Sequence, residues 1–298
     1  MTECKQSNTK VMTTEMKNEI KGMLEAYVKR YPSQNKAAIA LGISSATLSS
    51  ILNGKTENIS DDMWMNLKSK VSVVSGWQCA DTQAFSHLLF YMAAAKEDSS
   101  VMWVTGPAGI GKSTAAAMYA ATNRNVFLLT CSEDMHKADF VKSLAKLIGV
   151  NSVGMTVRET LTAVIDTLVT IDRPLLIFDE GDKLTDSVLY YYISLYNGLK
   201  DKCGMLFLST EYMKRRMENG LNRAKKGYDE LDSRIGRRFI PLPLVKANEV
   251  AAICKLNGLE DKAAVSTVIK EAAECGNDLR RVRRSIQKEM KKLSLSSI

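Results

Sequence analysis

Gly106-Pro107-Ala108-Gly109-Ile110-Gly111-Lys112-Ser113-Thr114 combines glycines, a lysine and hydroxyls at a spacing suited to one chemistry. In the pattern G-x-x-x-x-G-K-S, the glycines let backbone N–H groups turn inward around an anion. Lys112 would reach the β- and γ-phosphates of a nucleotide, and Ser113 would hold Mg²⁺. A second group, Asp179-Glu180, closes the apolar run Leu175-Leu176-Ile177-Phe178. There Asp179 would hold Mg²⁺ through water, and Glu180 would polarise an attacking water as general base. Two adjacent acids point to hydrolysis rather than to a guanine-nucleotide switch, and no Asn-Lys-x-Asp stretch reads guanine.

Further polar residues fall where such a site needs them. The apolar run Met205–Leu208 ends in Ser209-Thr210, and Thr210, or Ser209, could orient the water. Arg234, Arg237 and Arg238 cluster before the last apolar stretch. A guanidinium supplied from a neighbouring copy neutralises transition-state charge. Arg234 is the first choice for that role and Arg238 the second. Arg280 opens a C-terminal helix and could fold back on the γ-phosphate.

These residues need a scaffold. Apolar runs at 101–105, 126–130, 174–178, 204–209 and 238–242 alternate with helical periodicity. Such alternation predicts an α/β fold, a mostly parallel sheet with helices on both faces. The first strand would feed the glycine loop, and the Ala-rich stretch after Thr114 would present a helix N-terminus to the same anion. Three blocks follow: an all-helical one at 1–75, a nucleotide-binding core at 76–242, and a helical lid at 243–298. Residues 71–76 break the helical period and read as a linker.

The helical block carries Gln34 to Gly54 in a pattern of its own. Gly42 suits a left-handed helix end, Ser44 suits a cap, and Leu48 and Ile51 share one face. Ser45, Ala46, Thr47, Ser49 and Ser50 would face outward. The pattern resembles the helix-turn-helix of phage-repressor-type domains, whose second helix enters the major groove. Its outward face is rich in hydroxyls and poor in charge, which suits phosphate contacts better than base reading.

Composition narrows the class. The chain of 298 residues has a net charge of +8, which fits a polyanionic partner. No apolar run is long enough to cross a membrane, and the polar N-terminus has no signal core. The six cysteines form no C-x-x-C pair, and there are two histidines. A structural metal site or disulfide framework is therefore not expected, and a cytoplasmic setting with reduced thiols is.

Together, 106–113, 175–180, Thr210, Arg234 and Arg280 resemble the Walker A, Walker B, sensor-1, arginine-finger and sensor-2 elements of AAA+ ATPases. With the N-terminal block, the chain resembles the ATP-dependent target-DNA-binding ATPases of phage transposition. Asp81-Thr82-Gln83, Asp179 to Leu184, Ser233-Arg234-Ile235 and Leu279-Arg280 also carry this likeness. Thr210 departs from the asparagine of that group, and Asp-Glu-Gly-Asp replaces Asp-Glu-Ala-Asp. The resemblance implies a five-stranded AAA+ fold, with ATP and Mg²⁺ as cofactors. It also implies double-stranded DNA bound with little sequence preference, a helical filament of this chain, and a transposase as partner. A helicase-loader-type ATPase and an ATP-switched helix-turn-helix regulator are the alternatives.

Overall fold

The computed structural model describes residues 12–29, 33–56, 59–71 and 77–296. Four helices come first: α1 (Thr14–Val28), α2 (Gln34–Leu41), α3 (Ser45–Leu52) and α4 (Asp61–Val71). Ile20, Leu24, Leu41, Leu48, Ile51, Trp64 and Leu67 form their shared core. Gly42 ends α2 at φ +68°, and the Ser44 side chain accepts from the Thr47 N–H at 3.0 Å to cap α3. The helix pair therefore has its expected turn, with Leu48 and Ile51 buried. Of the expected linker at 71–76, Val71 ends α4 and 72–76 lie outside the described residues.

The core begins at α5 (Gln83–Glu97), capped by the Thr82 hydroxyl. It continues through β1 (Val101–Thr105), α6 (Lys112–Thr122), β2 (Val126–Thr130), α7 (Lys137–Ile148), α8 (Val157–Val169) and β3 (Leu175–Asp179). Then come a 3₁₀ turn (Gly181–Lys183), α9 (Asp186–Leu199), β4 (Gly204–Ser209), α10 (Tyr212–Asn222), α11 (Tyr228–Arg234) and β5 (Phe239–Pro241). The lid consists of α12 (Ala247–Leu256), α13 (Lys262–Ala273) and α14 (Leu279–Ser296).

All five strands are parallel, in the order β2-β3-β4-β1-β5. Alternation along each strand feeds two cores. Leu176, Phe178, Met205 and Phe207 pack with α7 to α11 on one face. Leu175, Ile177, Leu206 and Leu208 pack with α5, α6 and the lid on the other. This is the AAA+ P-loop fold, with a helical C-terminal region. The strand expected at 174–178 runs one residue later. The one expected at 238–242 is shorter, with Pro241 at an edge where a missing N–H is tolerated. Its pairing extends one bond further, from the Leu242 N–H to the Thr105 carbonyl at 2.8 Å. Among the described residues, no helix is long and apolar enough to cross a membrane.

Candidate nucleotide site

The glycine loop leaves β1 at the carboxyl end of the sheet, between β4 and β5. Ligands of open α/β sheets bind at such an end. Gly109 and Gly111 take φ +77° and +101°, conformations that favour glycine. Gly111 is also the N-cap of α6, so the helix starts at Lys112 with unpaired N–H groups toward the loop. Lys112 Nζ donates to the carbonyls of Gly106 at 2.7 Å and Pro107 at 2.9 Å. Burial lowers the Lys112 pKa, against the opposing pull of Asp179 and Asp182. The ammonium is thus held by loop carbonyls and is partly desolvated, a state that an incoming phosphate would relieve.

Asp179 ends β3, and only 3% of it is exposed. Burial raises its pKa, while hydrogen bonds from the Ser113 hydroxyl and the Glu180 N–H oppose the rise. The serine and aspartate expected to share Mg²⁺ are therefore already in contact. Among the described residues, no three His, Cys, Asp or Glu side chains gather to hold a metal unaided. A hydroxyl, one carboxylate, water and nucleotide phosphate oxygens form a donor set that fits Mg²⁺.

Glu180 adopts φ +56° and starts the 3₁₀ turn. Its carboxylate accepts from Lys183 Nζ at 2.6 Å. Thr210 Oγ1 donates to Asp182 Oδ2 at 2.5 Å. The alternative water-orienting residue, Ser209, is otherwise engaged. It is buried and also lines the cleft, and its hydroxyl accepts from Trp103 Nε1 at 2.7 Å.

A cleft of about 310 Å³ gathers Ala108 to Thr114, Asp179, Glu180, Asp182, Thr210 and Arg280. Gly106 and Pro107 lie behind it and contribute carbonyls to Lys112. The lid closes one side: the Leu279 N–H donates to the Gly109 carbonyl at 2.9 Å, and Asp278 sits over Gly109. Arg234 does not line this cleft. It packs over the Tyr196 ring at 5.3 Å and pairs with Glu230 at 3.5 Å. Arg237 is exposed and lies 4.0 Å from Asp232, and Arg238 is also exposed.

The other end of the cleft was not anticipated by motif. Trp77, Cys79, Ala80, Phe85, Ile253 and Leu279 form an apolar wall, with Arg283 stacked over Trp77 at 5.3 Å. The segment carrying Trp77 is sewn to the lid. Asn257 accepts from the Gln78 N–H and donates to the Gln78 carbonyl, both at 3.0 Å, and Glu249 accepts from the Gln83 N–H at 2.6 Å. An apolar wall beside a phosphate cradle suits a nucleobase. In the sequence, Asp81-Thr82-Gln83 carried the family likeness but no expected part in this wall.

A family model described as an AAA domain matches residues 95–217, less than half of the chain. The matched stretch runs from the end of α5 into α10 and contains the glycine loop, Asp179, Glu180 and Thr210, whereas the apolar wall lies outside it. No curated relative matches the chain. Among solved structures, NtrX from Brucella abortus in complex with ATP is similar at 10% identity and TM-score 0.48, over 80% of this chain and 58% of that one. The same protein in complex with ADP is similar at 11% identity and TM-score 0.47, over 82% and 58%. The chain therefore spans 58% of the length of these structures.

Proposed function

We propose that the chain is a Mg²⁺-dependent ATPase that binds duplex DNA in its ATP-bound state, assembles on it as a helical filament and directs a partner transposase. One observation carries the ATPase reading: Lys112, Ser113, Asp179, Glu180, Thr210 and Arg280, which come from four separate stretches of sequence, line one cleft with the glycine loop. Loop N–H groups and Lys112 bind the phosphates, and Arg280 approaches from the lid. Glu180 takes a proton from water as its oxygen attacks the γ-phosphorus. The bond from that phosphorus to the bridging oxygen breaks, and ADP and phosphate leave. Mg²⁺, held by Ser113 and Asp179, supplies charge neutralisation at the phosphate oxygens when bound.

Charge and likeness support the DNA reading. Exposed Lys214, Arg215, Arg223 and Lys226 lie on and after α10, and exposed Arg281, Arg283, Arg284 and Lys291 lie along α14. The finer resemblance is to transposition protein B of phage Mu, an ATP-dependent target-DNA-binding protein. A head-to-tail contact that does not close would give a filament. Placing Arg234 at the neighbour's nucleotide would couple assembly to hydrolysis.

Lys112→Ala should abolish binding of a fluorescent ATP analogue. Glu180→Gln should bind it yet release phosphate about 10²–10⁴-fold more slowly. Wild-type turnover by Glu180→Gln would refute the base assignment. Titrations on unrelated duplexes should show ATP-dependent affinity that varies little with sequence and falls steeply with salt. A salt-resistant preference for one short site would instead favour the regulator reading. Capture of a helicase rather than a transposase would favour the loader.

A further inference from the structure

We propose that the four-helix block (α1 to α4) is clasped to the nucleotide-binding core at Arg124 and Gly149, and that the clasp withholds α2 from DNA until a duplex opens it. The inference rests on the DNA reading of the helix-turn-helix.

The clasp has two points. α1 ends at its C-cap, Lys29, with no basic residue in its last turn. Arg124, on the connection from α6 to β2, supplies one from the core: its Nε donates to the Lys29 carbonyl at 2.9 Å. A guanidinium there meets orphan carbonyls at the negative end of a helix dipole. The second point joins α7 to α2. Gly149, the C-cap of α7, is buried against the first turn of α2. A Cβ on Gly149 would lie 2.6 Å from both Cα and Cβ of Lys36 and 2.7 Å from its carbonyl oxygen. A residue without a side chain lets the two backbones meet this closely. The negative end of α7 thereby abuts the positive end of α2.

The clasp takes one half of the DNA face and leaves the other. Ser44, Ser45 and Ala46, which open α3, are exposed. In a helix-turn-helix the second helix enters the groove while the first crosses the backbone, and helix N-termini take phosphates. That duty falls on the first turn of α2, which lies against Gly149. A duplex gripped by both helices must lift α2 off α7. The hydrogen bond to α1 comes from an exposed arginine, where water competes with it. Since only the open fraction binds, closure lowers the apparent affinity by that fraction.

The test is anisotropy of a labelled duplex with the full chain, without nucleotide, beside hydrogen exchange over α2 and the end of α7. Arg124→Ala and Gly149→Ala should each speed exchange at both places and tighten binding about two- to ten-fold, the range set by one hydrogen bond. Arg124→Lys should retain most of the clasp. Gly154→Ala controls for backbone strain: Gly154 has φ +78° and nothing within 4 Å of its added Cβ, so exchange and affinity should stay as in the wild type. Adding Ser45→Glu to Arg124→Ala should cancel the gain. Faster exchange with unchanged or weaker binding would overturn the proposal, as would wild-type exchange in both clasp variants, or an equal gain in Gly154→Ala. If Ser45→Glu left the affinity of both the wild-type and the Arg124→Ala chain untouched, the helix-turn-helix reading would fail and the clasp's role with it. That outcome is distinct from an open clasp that brings no gain in a chain that Ser45→Glu weakens.

Discussion

Cys79 faces the same cleft as Lys112, and its thiol is a natural probe of the base end. Burial raises its pKa, with Arg283 pulling the other way. Alkylation at neutral pH should be slow, because the thiolate is the reactive form, and slower still with ATP in the cleft. Cys131, beside Asp179, and Cys203 are pushed by burial to about 12 and should stay unmodified in the folded chain. Among the described cysteines, exposed Cys275 should react first, indifferent to nucleotide. Iodoacetamide labelling followed by peptide mass spectrometry would check this. Equal labelling of Cys79 with and without ATP would show that the nucleotide does not reach the apolar wall. The residues of the phosphate end were legible in the sequence because each role follows from a short local pattern. Those of the base end were not. Trp77, Ile253 and Arg283 come together only when the lid docks, and no spacing encodes that. Likewise, Trp103 takes the Ser209 hydroxyl across two paired strands, and nothing in the Ser209-Thr210 pair foretells it.

Between elements, two contacts carry testable weight. Asp186, the first residue of α9, accepts from Arg216 and Lys225, and from Tyr228 Oη at 2.9 Å. Burial alone would raise its pKa, but these hydrogen bonds outweigh it and hold the carboxyl at about 2. A folded pKa below the unfolded value makes the contribution complete above about pH 5 and progressively lost as pH falls toward 2. After discounting for solvent screening, Asp186→Asn should cost about 1 kcal/mol at pH 7. Urea titrations should show that cost shrinking as pH falls from about 4 toward 2. The second contact is Gly109 under Asp278. A Cβ at Gly109 would come within 2.1 Å of Asp278 Oδ1, at a backbone φ of +77°. Gly109→Ala should therefore push the lid off the loop and weaken ATP binding more than Thr114→Ala does, measured with the same fluorescent analogue. The elements themselves were largely legible, since strands buried on both faces stand out as continuous apolar runs and capped helices announce their period. Only their ends shifted, most at β5, where Pro241 limits the ladder.

At the scale of the whole molecule, Arg234, like Arg237 and Arg238, lies outside the cleft of its own copy. If it serves the neighbour's nucleotide, Arg234→Ala should bind ATP yet lose hydrolysis. Mixing it with Lys112→Ala should restore part of the DNA-stimulated rate, because one interface then joins an intact loop to an intact arginine. Phosphate release across mixing ratios is the measurement. Unchanged hydrolysis by Arg234→Ala alone would move the role to Arg238 or Arg237. The cleft also has a temporal side. Its walls are drawn from Trp77 to Arg283, from before α5 to within α14. During synthesis from the N-terminus, Lys112, Asp179 and Thr210 emerge well before the lid. A nascent chain that has just released β4 already owns its phosphate cradle, but the α5–α6 face is bare and Gly109 has no Asp278 above it. Such a chain would let nucleotide come and go. Firm retention would begin only once α14 has left the ribosome, so that a held nucleotide would report a docked lid.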